Sequence, residues 1–156
     1  MGCYYYNFEV LKSRYDPGDQ LKWLEDELAG LEKVSGSAIV IGHIPPMYDE
    51  CMHGWSVRYK ALAERYQHVI RFGLFGHDHE ERVQIVTAAR NPNQRIGFNF
   101  MAGSATTFLR KNPSFNVIEL DESTMLPVNI KTYYFNISNA TVDPKKPQWE
   151  YLHDYI

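Results

Sequence analysis

The sequence predicts a mixed α/β protein, and three observations carry that prediction. Leu21, Leu24, Leu28 and Leu31 recur at helical spacing. Two short apolar runs, residues 37–41 and 72–75, each end in a glycine followed by a histidine. A buried strand that ends this way delivers a side chain to the rim of a sheet, where α/β proteins build sites. Beyond Glu81 the texture changes to short strands parted by turn residues.

Taken in order, Asp16 reads as a helix N-cap, Pro17 as the first helical residue and Asp19 as an acidic partner for the positive helix end. The leucines then give a helix of about four turns with one core-facing stripe. Gly36 closes it, and the strand ending at His43 follows. The segment from Pro45-Pro46 to Gly54 is a loop over the presumed site, residues 58–69 form a helix, and the next strand ends at His77. Strands are predicted over 82–86, 96–101, 115–120 and 128–135, with turns at Asn91-Pro92-Asn93 and Asp121-Glu122-Ser123. There is no repeat and no low-complexity linker. The organisation is therefore a helix–strand unit (1–80), a strand-rich part (81–143) and a C-terminal tail (144–156).

At 156 residues and 44% hydrophobic content the chain has enough apolar material for one real core. A net charge of -3 gives no electrostatic footprint for nucleic acid or for a polybasic membrane patch. No run approaches the roughly 18 apolar residues of a transmembrane span, and no signal peptide is visible. Met1-Gly2-Cys3 resembles a myristoylation start, but Tyr6 stands where Ser or Thr is needed. Met1 thus reads as an internal methionine of a longer reading frame, or as an artificial boundary, rather than as a native start.

Two phrases carry the chemistry: Gly42-His43-Ile44-Pro45-Pro46 and Gly76-His77-Asp78-His79. On an extended chain His77 and His79 fall on the same side, with Cα atoms about 6–7 Å apart. Rings at that spacing can converge on two metals roughly 3.5–4 Å from each other. Asp78 then points the other way and is a poor ligand candidate. A lone buried histidine is more often a satisfied core residue. Two such phrases, each after a strand and separated by a helix, favour metal ligation.

With these phrases in place the chain resembles the C-terminal half of a calcineurin-like metallophosphoesterase, and within that superfamily the acid sphingomyelinase-like phosphodiesterases. The resemblance runs along most of the chain. It rests on Tyr15-Asp16-Pro17-Gly18-Asp19-Gln20-Leu21-Lys22-Trp23-Leu24, the Gly-His-Ile-Pro-Pro phrase, Trp55-Ser56, Gly76-His77-Asp78-His79, Ala102-Gly103-Ser104-Ala105-Thr106-Thr107 and Asn112-Pro113-Ser114-Phe115. It implies part of a sandwich of two mixed sheets flanked by helices, with the N-terminal half missing.

The resemblance also implies a mechanism in which a hydroxide bridging two zinc ions attacks phosphorus in line. The family's other ligand phrases lie upstream of the matched region. This chain can therefore supply three of seven ligands: His43 and His77 to one metal, His79 to the other. Every carboxylate is among the missing four, and neutral imidazoles do not compensate the repulsion of two dications. No complete catalytic set is expected here, and one zinc or none. The phosphodiester substrate of a complete enzyme is sphingomyelin, another phosphocholine ester or a nucleotide. The missing half, or another chain, is the implied partner. The alternative is a non-catalytic binding or interaction module, whose sheet edge must be paired by another chain.

Compartment is read from two signs. The resemblance places a bridged pair of half-cystines at Cys3 and Cys51, which implies an oxidising compartment. Asn136-Ile137-Ser138 and Asn139-Ala140-Thr141 are glycosylation sequons, Asn136 being the better matched by the resemblance. A secreted or lysosomal glycoprotein is expected. Tyr4, Tyr5, Tyr6, Trp55 and Phe108 offer an aromatic wall for a choline-like group, although a core role suits an aromatic-rich chain better.

Overall fold

A computed structural model describes residues 3–4, 16–47, 49–142 and 148–155, and Asp16 begins the first long stretch. Its carboxylate accepts hydrogen bonds from the backbone N–H of Leu21 (2.8 Å) and Lys22 (2.9 Å). Those are orphan donors of the first turn of helix α1 (Gln20–Lys33). The helix begins later than predicted, because Pro17–Asp19 form a 3₁₀ turn. Gly18 at φ 71° and Asp19 at φ 52° take the left-handed conformation there. Leu21 and Leu28 are buried, as their spacing required. Gly36 ends the helix by donating to Leu31 O (2.8 Å). A Cβ at Gly36 would lie 2.9 Å from the Leu31 side chain.

The described residues form two units. The first runs to His77 and includes 83–100. Strands β1 (Ala38–Ile41) and β2 (Ile70–Phe75) pair in parallel, as a helical crossover demands. That crossover is α2 (His53–Arg65). Residues 58–69 were predicted; the helix starts and stops about one turn earlier. Met52 caps its start, accepting from the N–H groups of Trp55 and Ser56. Its end is fixed where Val69 and Ile70 both turn back to Tyr66 O. Tyr66 and Val69 are buried against Leu28, and that burial carried the apolar period past the helix end. β3 (Arg82–Thr87) and β4 (Arg95–Met101) complete a four-stranded sheet in the order β1-β2-β4-β3. This sheet is mixed, as predicted. Its core joins Leu21, Tyr59, Ala63 and Val86, and α1 is tied to α2 by a bidentate Arg65–Glu32 pair at 2.7 and 2.9 Å.

The second unit comprises Asp78–Arg82 and residues from Met101 onward. Here β5 (Ser114–Leu120), β6 (Pro127–Phe135) and β7 (Trp149–Asp154) form a sheet in that order. It is antiparallel throughout, where a mixed sheet was predicted. Within residues 144–156, β7 pairs along β6, setting Trp149 opposite Phe135 and Tyr151 opposite Tyr133. A short helix, α3 (Ile137–Val142), follows β6 and includes residues of both sequons. Glu81 anchors its turn to this sheet by accepting from Asn116 Nδ2 (2.7 Å), Thr132 Oγ1 (2.7 Å) and His153 Nε2 (2.7 Å). Burial alone would raise the Glu81 pKa, but these donors together with Tyr155 hold it below the usual range.

Among the described residues no helix is long and apolar enough to cross a membrane.

Candidate metal centre

The parallel ladder between β1 and β2 continues one step past the strands, into the two Gly-His phrases. Gly42 N donates to Leu74 O (3.0 Å), and Gly76 N donates to His43 O (2.9 Å). Gly42 must be glycine, since a Cβ there would stand 2.7 Å from the Phe75 ring. The ladder therefore sets His43 and His77 side by side on neighbouring strand ends. Their rings meet edge to face with centroids 5.1 Å apart, and His77 Nδ1 lies 3.3 Å from His43 Nε2.

The second nitrogen of His77 is also engaged. His77 Nε2 lies 2.6 Å from Glu50 Oε2, and the Tyr4 ring packs edge-on to the imidazole at 5.6 Å. Both neighbours are held by the disulfide between Cys3 and Cys51, which the structure forms as the resemblance implied. Met52 N donates to Cys3 O (2.6 Å) and Tyr4 forms an isolated bridge to Cys51, so the two segments joined by the disulfide are also stitched by backbone contacts. Glu50 was missed by sequence reading. It sits in an irregular loop with no motif around it, and only its neighbour Cys51 hinted that the loop is pinned.

His77 and His79 do not lie on an extended chain, contrary to the spacing argument. His77 has φ 84° and His79 φ 57°, both left-handed, so the phrase is a tight turn. His79 belongs to the second unit, where it packs edge-on to Phe108 at 5.7 Å. Its Nδ1 is buried with no hydrogen-bond partner among the described residues. Asp78 turns inward: its side chain is 7% exposed, and Arg82 Nη1 is 3.5 Å from Oδ2. Lys111 pins this turn through Asp78 O (3.0 Å) and Glu80 Oε1 (2.9 Å), and with Arg82 it holds the Glu80 carboxyl down to about 2. Among the described residues no group of three or more His, Cys, Asp or Glu side chains converges as a metal cage. Within the first unit the structure sets two of the predicted ligands, His43 and His77, side by side.

The aromatic wall divides. Trp55 stacks on Tyr59 in the core (5.6 Å), Tyr4 stands at His77, and Phe108 is exposed beside His79. Tyr5 and Tyr6 lie outside the described residues. Next to His43, a cleft of about 210 Å³ is lined by apolar side chains that include Trp23, Leu24, Ile41 and Phe75. Asn136 accepts from Asn139 N (3.1 Å) at the start of α3, and Asn139 itself is exposed.

No family model matches the chain. Sphingomyelin phosphodiesterase 2 of Caenorhabditis elegans is 31% identical over 157 residues, covering 97% of this chain and 25% of that protein. Human sphingomyelin phosphodiesterase is 30% identical over 155 residues, covering 97% of this chain and 24% of that protein. The chain is homologous to the sphingomyelin phosphodiesterases. The human acid sphingomyelinase-like phosphodiesterase 3b is also similar, at 26% identity over 94% of this chain and 35% of that relative. The match falls in the C-terminal part of these phosphodiesterases, and the chain spans about a quarter of the length of the first two.

Proposed function

We propose that this chain is the histidine-bearing part of a zinc-dependent phosphodiesterase that hydrolyses a phosphoric diester such as sphingomyelin. The observation that carries the proposal is the 3.3 Å approach of His43 Nε2 and His77 Nδ1. Two nitrogens each about 2.0–2.1 Å from one tetrahedral zinc are about 3.3–3.4 Å apart. The separation of the two nitrogens thus fits a shared metal. When bound, zinc supplies a low-pKa water and positive charge for the phosphoryl oxygens. The chain's own residues orient that charge: the β1–β2 ladder fixes the imidazoles at the rim, and the apolar cleft beside His43 suits a diester with an apolar arm. The described residues offer no three-ligand cage, so the carboxylate ligands must come from elsewhere. The isolated chain is accordingly proposed to hold one zinc or none and to be inactive. The disulfide and the two sequons support a secreted or lysosomal glycoprotein.

The test is a chimera in which this chain replaces the matching segment of the human relative. Hydrolysis of sphingomyelin or bis(4-nitrophenyl) phosphate is expected, and His43→Ala, His77→Ala or His79→Ala should each cost several orders of magnitude in rate. Calorimetry on the chain alone should show at most one zinc, lost in His43→Ala. A folded chimera whose activity survives these substitutions would overturn the reading. The lack of a three-ligand cage among the described residues favours a second reading, a non-catalytic interaction module, which a folded but inactive chimera would support.

A further inference from the structure

We propose that Glu50 is a positioning residue that makes His77 a ligand, by fixing which of its ring nitrogens carries the proton. This rests on the metal reading of the His43–His77 pair. Imidazole has two nitrogens, and a neutral ring can present a lone pair on only one of them. His77 must present Nδ1, since that atom faces His43 Nε2 at 3.3 Å. The other nitrogen, Nε2, lies 2.6 Å from Glu50 Oε2, a distance at which Nε2–H donates to the carboxylate. With the proton committed to Nε2, the Nδ1 lone pair is left pointing at the shared space. The arrangement matches the carboxylate–histidine–metal relay by which outer residues orient ligands and raise their basicity.

Two further observations make Glu50 a fixture. It directly precedes Cys51, which is bonded to Cys3, so its backbone is anchored at a covalent cross-link. Its side chain is about one-third exposed and that of His77 about one-fifth, so the pair is partly withdrawn from water that would compete for the proton. Tyr4 packs edge-on to His77 and limits rotation of the ring.

The experiment compares the chain with Glu50→Leu and Glu50→Gln, using ¹⁵N-histidine labelling and cobalt(II) titration. Long-range ¹H–¹⁵N correlations report which nitrogen of His77 is protonated, with or without metal. In the unaltered chain His77 should be in the Nε2–H form. Glu50→Leu should give a mixture of tautomers and about 10–100-fold weaker cobalt binding. Glu50→Gln keeps an acceptor oxygen, so it should retain the Nε2–H form and recover most of the affinity. A merely structural role would not separate Gln from Leu in this way. If His77 is in the same tautomer in Glu50→Leu, or if cobalt binds that variant as tightly as the unaltered chain, the positioning role is overturned while the metal reading stands. If the tautomer shifts in Glu50→Leu but the unaltered chain takes up no cobalt, Glu50 fixes the tautomer without making His77 a ligand and the proposal is overturned, while the chimera remains the test of the metal reading.

Discussion

His77 carries a left-handed backbone conformation as well as an imidazole at the rim of the sheet. Its φ of 84° is one that glycine adopts freely and a residue with a Cβ does not, at a cost of order 1–3 kcal/mol. Removing the imidazole should therefore have opposite consequences for backbone and site. His77→Gly is expected to unfold at higher denaturant than His77→Ala, by about 1 kcal/mol, while both lose metal binding. Equal stability in urea titrations would show that the turn relaxes once the ring is gone. The same residue marks a limit of sequence reading. Gly-His at the end of an apolar run places an imidazole at a sheet rim, and that much was legible. The spacing of His77 and His79 places their rings on one side only of an extended chain, and a left-handed turn is not written in the residue type. Histidine tolerates that region better than most side chains, so nothing in the letters forbade it.

Turns and strands differ in how openly the sequence declares them. Asp121-Glu122-Ser123 was legible because aspartate can bond its own backbone ahead, and it does. Asp121 Oδ1 accepts from Ser123 N (3.1 Å), Thr124 N (2.8 Å) and both their hydroxyls. Those bonds hold its carboxyl down to about 2. A depressed carboxyl stabilises the fold fully above its ordinary pKa near 4, and that contribution is lost as pH falls from about 4 to about 2. Thermal melts across this window should show a steeper loss for the natural chain than for Asp121→Asn, which keeps an acceptor but does not titrate. Parallel curves would mean the turn adds nothing. β7 was illegible for the opposite reason. Trp149, Tyr151 and Leu152 are all about half exposed, so no alternation of burial exists for an alternation of residues to mirror.

At the scale of the molecule, the Cys3–Cys51 bridge is the longest-range covalent constraint, spanning a sequence separation of 48. On the loop-entropy model such a closure stabilises by about 4 kcal/mol. Peptide mapping without reduction should return one species containing both cysteines, and Cys51→Ser should lower the unfolding midpoint accordingly. Two freely alkylated thiols in folded material from an oxidising host would remove the bridge from the argument. The pairing was legible only through resemblance, since two cysteines in a sequence do not announce a partner. Glu50 was not legible at all, because what brings it to His77 is the path of a pinned loop, which no local pattern encodes.

The hydrogen bonds from Gly42 to Leu74 and from Gly76 to His43 make the gap between the imidazoles a property of strand spacing, about 4.8 Å, rather than of side-chain freedom. Length variation should then be tolerated very unevenly. A residue gained or lost in the loop after Pro46 is absorbed by that loop, with the disulfide still holding its far end. A residue gained or lost within β1 or β2 shifts one rim by about 3.3 Å and turns its histidine to the opposite face of the sheet. Descendants of this chain can lengthen their loops freely, but between each strand's start and its histidine the count of residues is frozen.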